Sequence, residues 1–151
     1  MMLKVGDKLP RFELNDQNEN IVSSDQFEGK KLLLSWHPLG FTSVCTDQMR
    51  DLAKNYEEIT AKGYVPLGFS VDTQPAKFVW ANSIGIDYDE IKLLSDFNPF
   101  GAYAKELGIF SEDIGASERV NILVDENGVV TWIKVYEKSE YPDFDEVLAN
   151  L

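Results

Sequence analysis

The sequence predicts an α/β fold in which a mixed central β-sheet carries helices on both faces and begins with an N-terminal β-hairpin. Three observations predict it. Short apolar runs, several rich in β-branched residues, alternate with segments whose apolar residues recur every three or four positions, which are the strand and helix periods. That rhythm runs from Leu32 to Leu107 and implies a sheet covered on both faces. Two final runs, Val120 to Val124 and Val129 to Val135, flank Asp125-Glu126-Asn127-Gly128, whose Asn-Gly suits a tight hairpin and an antiparallel pair.

At the N-terminus, Phe12 and Leu14, then Ile21 and Val22, flank the polar stretch Asn15 to Asn20, a turn between two short strands. Ser24-Asp25-Gln26-Phe27-Glu28-Gly29 offers a cap and a glycine stop for one helical turn. Leu32-Leu33-Leu34-Ser35-Trp36 then reads as a buried central strand. From Thr46 to Lys62, the residues Met49, Leu52, Ala53, Tyr56 and Ile59 keep helical spacing until Gly63, so Cys45 stands at the beginning of an amphipathic helix.

Val65 to Val71 is the next strand, and Pro75 opens a helix containing Phe78, Val79, Trp80 and Ile84. Ile91 to Leu94 forms a short strand, followed by a helix begun by Pro99 that runs through Ala102, Tyr103, Ala104 and Leu107 to Gly108. Phe144, Val147, Leu148 and Leu151 are spaced for a terminal helix over one sheet face. A thioredoxin-like fold satisfies this order.

The 151 residues suit a single thioredoxin-like domain spanning 1–151. A hydrophobic fraction of 44% supplies a core without disulfides or metals. With 26 acidic and 14 basic residues the net charge is -12, which repels phosphate backbones and anionic membranes and argues against a nucleic-acid partner. No run approaches the roughly 18 apolar residues of a membrane span. The one cysteine cannot form an internal disulfide, and a lone thiol suits a reducing compartment, so the expected location is cytoplasmic.

A thiol reacts as its thiolate, and a helix N-terminus favours that form through free N–H groups and partial positive charge. Placement alone leaves Cys45 open to the ordinary role of a small buried hydrophobe. Its neighbours narrow the choice. Pro38, Thr42 and Cys45 stand at the spacing Pro-x-x-x-Thr-x-x-Cys within Trp36-His37-Pro38-Leu39-Gly40-Phe41-Thr42-Ser43-Val44-Cys45. This string resembles the active-site loop of the peroxiredoxins, the alkyl hydroperoxide reductase and thiol-specific antioxidant type. The resemblance continues through Gly29-Lys30, Ser70-Val71-Asp72 with Trp80 following, Leu94-Ser95-Asp96, and Arg119 ahead of Asp125-Glu126-Asn127-Gly128.

The resemblance implies a thiol-dependent peroxidase whose Cys45 thiolate attacks the terminal oxygen of a hydroperoxide, leaving a cysteine sulfenic acid and releasing water or an alcohol. That chemistry requires no metal, haem, flavin or other cofactor. By the family pattern, the Thr42 hydroxyl holds thiolate and peroxide in register and Pro38 packs over the site and limits water. Arg119 stays charged, favours the thiolate and donates to the peroxide. Each has an ordinary alternative: Thr42 as a helix cap, Pro38 as a strand end, Arg119 as a solvated strand-end charge. The family also implies a homodimer.

His37, the only histidine, is expected to pack beside the strand end and not to act as a base. Asp72, Asp87, Asp89, Glu90, Asp125 and Glu126 are expected to be solvated in strand-end loops. One His and one Cys make no zinc cluster, and no phosphate-binding glycine loop occurs.

Three positions depart from the commonest family pattern: Gln48 replaces a frequent Glu, Lys77 replaces a frequent His, and Leu107-Gly108-Ile109 lacks an aromatic residue before its glycine. The larger departure is the missing second cysteine, so the sulfenic acid must be resolved by an external thiol or a redoxin-type protein, a one-cysteine cycle. A thiol-disulfide oxidoreductase would carry Cys-x-x-Cys here, and residue 48 is Gln. The remaining alternative is a thioredoxin-fold binding module or scaffold without peroxidase activity.

Overall fold

The computed structural model describes residues 2–151. Strands β1 (Glu13–Asn15) and β2 (Ile21–Ser23) form the N-terminal hairpin, and a 3-10 turn (Ser24–Phe27) leads to β3 (Lys31–Trp36). Helix α1 (Ser43–Lys54), helix α2 (Tyr56–Ala61), strand β4 (Tyr64–Ser70), helix α3 (Gln74–Ile84) and strand β5 (Lys92–Ser95) follow. Helix α4 (Ala102–Leu107), a small pair β6 (Phe110–Ser111) and β7 (Ala116–Ser117), the hairpin β8 (Arg119–Val124) and β9 (Val130–Tyr136), and helix α5 (Phe144–Ala149) complete the chain.

Seven strands form one sheet in the order β2-β1-β5-β4-β3-β8-β9. Strands β3, β4 and β5 are parallel, whereas β8 runs antiparallel to β3 and β1 antiparallel to β5. The expected mixed sheet with a terminal antiparallel pair is therefore present.

Strand periodicity assigns each side chain to a layer. Leu32, Leu34 and Trp36 of β3 join Phe69, Tyr103, Val120 and Ile122 on one face. Leu33 joins Met49, Leu52, Trp80, Leu123 and Val147 on the other. Helix α4 covers the first face, and α1, α3 and α5 cover the second.

Gly68 lets α1 sit close to the sheet: a Cβ there would lie 2.6 Å from Leu93 Cδ2 and 2.9 Å from Met49 Sδ. A side chain at residue 68 would push Met49, one turn after Cys45, away from β4.

Three sequence expectations need correction. The helix foreseen over 46–62 is two helices, because Asn55 takes φ -101° and ψ 14° and its side-chain amide donates to the Asp51 carbonyl, a local bond that competes with the regular ladder. Pro99 does not start α4. The helix begins at Ala102, where Asp96 accepts the Tyr103 and Ala104 N–H groups at 3.0 and 2.8 Å, capping from the end of β5.

The connection between β8 and β9 is longer than a two-residue turn. Asp125 Oδ1 accepts the N–H groups of Asn127 and Val129, and Gly128 takes φ 77°, so the aspartate side chain builds the loop. The helix expected from Pro75 is present as α3, which turns Lys77, Trp80 and Ala81 inward and leaves Phe78 and Val79 46% and 57% exposed.

Candidate active site

The site forms where the C-terminal ends of β3 and β4 meet the start of β8. After Trp36, the His37 N–H donates to the Phe69 carbonyl at 3.0 Å, prolonging the parallel ladder by one residue. The chain then leaves the sheet at Pro38, which is buried and removes a backbone donor where pairing stops. Phe41 adopts φ 68°, a left-handed conformation costly for an aromatic residue. That turn redirects the chain into α1.

Thr42 occupies the N-cap position but makes no side-chain cap. Its hydroxyl instead donates to the Leu39 carbonyl at 2.8 Å, closing the loop on itself. The first helical bond runs from the Thr46 N–H to the Thr42 carbonyl, so the first-turn N–H groups, including that of Cys45, have no intrahelical acceptor. Cys45 is 1% exposed, whereas Thr42 beside it is exposed.

Arg119 reaches Cys45 through sheet register. Trp36 pairs with Val120, so Arg119 lies one step further along β8, level with the strand end that launches the loop. Its Nη1 donates to Cys45 Sγ at 3.3 Å and to Gln48 Oε1 at 2.9 Å, and Nη2 donates to the Lys138 carbonyl at 2.7 Å. Gln48 in turn donates from Nε2 to Ser35 Oγ at 2.8 Å and the Trp36 carbonyl at 3.1 Å. The guanidinium is thus held at both amino groups. Tyr141 donates to Asp51 of α1, tying the segment that supplies the Lys138 carbonyl to the cysteine's helix.

The structure therefore brings Arg119 to Cys45. It places Thr42 and Pro38 in the adjoining loop. Gln48, read from sequence only as a departure, anchors the arginine; its position three residues after Cys45 puts both on one helix face, a signal that was available.

Asp72 is not a solvated spectator. Its Oδ2 accepts the Ser70 hydroxyl at 2.6 Å and the Gly40 N–H at 2.8 Å, so it holds the loop from β4. His37 is fully buried against Trp80, with ring centroids 5.0 Å apart, and neither ring nitrogen has a partner. Burial, and then the charges of Lys77 and Arg119, hold it well below the ordinary histidine value of 6.5. It is a neutral, weakly basic ring, consistent with packing beside the strand end.

Among the described residues, no helix is long and apolar enough to cross a membrane.

A buried thiol at a helix start on a thioredoxin-like sheet, with a guanidinium donating to its sulfur, defines a thiol-based redox protein. Comparison with known proteins specifies it. The AhpC/TSA family model matches residues 5–133. Alkyl hydroperoxide reductase E of Mycobacterium tuberculosis is 33% identical over 143 residues, covering 94% of this chain and 92% of its own. Peroxiredoxin 2 of Sulfurisphaera tokodaii is 32% identical over 149 residues, covering 97% and 70%. The reduced 2-Cys peroxiredoxin of Plasmodium vivax superposes with a TM-score of 0.85 at 28% identity, covering 97% of this chain and 79% of that one. The chain belongs to the AhpC/TSA family of peroxiredoxins, and is a thiol-dependent peroxidase with a thioredoxin-like fold.

Proposed function

We propose that Cys45 is the nucleophile of this peroxidase, with Arg119, Thr42 and Pro38 completing its active site, and that its substrates are hydrogen peroxide and organic hydroperoxides. The observation that carries the reading is the 3.3 Å bond from Arg119 Nη1 to Cys45 Sγ. A fixed guanidinium on the sulfur is a preorganised donor that needs no reorganisation as charge develops on the peroxide.

In the first half-reaction the thiolate attacks the terminal peroxide oxygen. The S–O bond forms as the O–O bond breaks, the leaving oxygen takes a proton and departs as water or alcohol, and Cys45 becomes a sulfenic acid. Arg119 and the Thr42 hydroxyl are donors for the two oxygens, and Pro38 limits water in the pocket. Thr42 must turn its hydroxyl from the Leu39 carbonyl to do so, a low-barrier rotation.

With one cysteine in the chain, an external thiol attacks the sulfenic sulfur and releases water. A second thiol attacks the first thiol's sulfur in the mixed disulfide, the bond to Cys45 breaks, and Cys45 departs as its thiolate while the two external thiols leave joined as a disulfide. The reductant is a small thiol or a redoxin-type protein. The lone thiol accords with a cytoplasmic, reducing setting. We further propose that residues 1–151 act as one domain that pairs as a homodimer, which light scattering at several concentrations tests.

Turnover tests the reading as a whole. Hydroperoxide consumption should require both Cys45 and an added thiol, with Cys45→Ser inactive. Sustained consumption without any thiol would contradict the one-cysteine cycle.

A further inference from the structure

Beneath α3 lies a buried charge that the arrangement of Arg119, Gln48 and Cys45 does not use. Lys77 is fully buried, which is rare for lysine unless something nearby requires the charge. It makes no direct ion pair among the described residues. Its Nζ donates to Ser70 Oγ at 2.5 Å. Ser70 donates to Asp72 Oδ2, and that same oxygen accepts the Gly40 N–H. Gly40 lies midway along the loop between Pro38 and Thr42, and the next carbonyl back, Leu39, receives the Thr42 hydroxyl. Three hydrogen bonds therefore connect an ammonium in α3 to the loop over Cys45.

We propose that Lys77 is a positioning residue of the peroxidase site: its ammonium fixes the Pro38–Thr42 loop through Ser70 and Asp72, and places a second positive charge behind the Cys45 thiolate. The inference rests on Cys45 being the nucleophile.

The groups facing Lys77 support this role. Asp72 after β4, Cys45 on α1 and Asp96 after β5 all favour its charged form, in that order. His37 after β3 is held neutral in part by the Lys77 charge. Burial outweighs the three favourable groups and brings Lys77 from 10.5 down to about 8. Above that pH the thiolate loses a cationic neighbour and Asp72 loses the charge that orders its serine. Oxidation of Cys45 should slow.

Fold stability should move the other way. The unfolded chain keeps the lysine proton up to about 10.5 while the native state releases it near 8, so the Lys77 contribution to stability rises across that interval. Opposite signs separate a role in the reaction from a merely structural one.

The test is the rate of Cys45 oxidation by hydrogen peroxide across pH, read by intact mass, in wild type, Lys77→Met and Ser70→Ala. Wild type should show a falling alkaline limb near pH 8. Lys77→Met should lose that limb and react about tenfold more slowly at neutral pH, the effect of removing one nearby buried charge. Ser70→Ala should keep the limb but react about threefold more slowly through the loosened loop.

A Lys77→Met protein with the wild-type limb or the wild-type neutral rate would overturn the inference. So would a wild-type rate that climbs steadily through pH 8 and beyond, a result independent of whether either variant folds. A wild-type Cys45 that does not react at all would instead refute the peroxidase reading.

Discussion

Arg119 and Cys45, 74 residues apart in the chain, meet at 3.3 Å because the register of β3 against β8 sets the guanidinium level with the start of α1. One amino group serves both the sulfur and Gln48, while the other is occupied by the Lys138 carbonyl. Arg119 is thereby a fixed fork at the sulfur.

Removing the fork should cost most of the rate. Arg119→Met is expected to slow Cys45 oxidation by about 10² to 10³-fold, the usual effect of deleting one preorganised donor. Arg119→Lys should recover only part of it, since an ammonium cannot span Cys45, Gln48 and the Lys138 carbonyl together. Stopped-flow tryptophan fluorescence, with Trp80 close to the site, provides the measurement.

Thr42 should separate rate from stability. Thr42→Val deletes the hydroxyl that donates to Leu39 and is expected to slow oxidation by about 10²-fold. Because the residue is exposed, the stability loss should stay within about 1 kcal/mol. Thr42→Ser should preserve the rate within about threefold, because it keeps the donor. A Val variant as fast as wild type would remove the hydroxyl from the mechanism.

Gln48 should contribute to both. Gln48→Met keeps the volume but leaves Arg119 Nη1 and the Trp36 carbonyl each short of a buried partner. The expected loss is about 1 to 3 kcal/mol in urea unfolding at an unchanged m-value. Oxidation should slow by about tenfold as the guanidinium loosens. An unaltered midpoint would mean that the Gln48 bonds contribute nothing net.

His37 supplies a pH dependence with a defined sign. Its native value lies well below the unfolded 6.5, so the unfolded state binds the proton first as pH falls. The His37 contribution is complete above 6.5 and is lost below it, by at most about 1.4 kcal/mol per pH unit. Denaturation between about pH 5 and 6.5, above most carboxylate titrations, should show that slope. His37→Phe should flatten it, since no other histidine exists in the chain.

The local parts of this site were legible in the sequence, and the parts assembled across the fold were not. Helical spacing after Thr46 put Cys45 at a helix start, and the alternation of runs gave the mixed sheet. Both are short-range patterns. The meeting of Arg119 with Cys45 depends on strand register, which no local period encodes. Asp72 reads as solvated in the sequence because Gly40, 32 residues away, comes within reach of it only when β4 lies beside β3. Lys77 and Gln48 were visible as unusual residues without a visible reason, because the reason is burial. Pro99 misled because proline at a helix start and proline in the preceding loop look alike until Asp96 is seen capping α4.

Cys45 is expected to be the group that peroxide oxidises. Reduced protein mixed with equimolar hydrogen peroxide and a sulfenic-acid trapping reagent, then read by intact mass, tests it most directly. Wild type should rapidly gain one trapped adduct per chain, and Cys45→Ser none. Oxidation no faster than that of an unactivated cysteine, or an adduct that persists without Cys45, would contradict it.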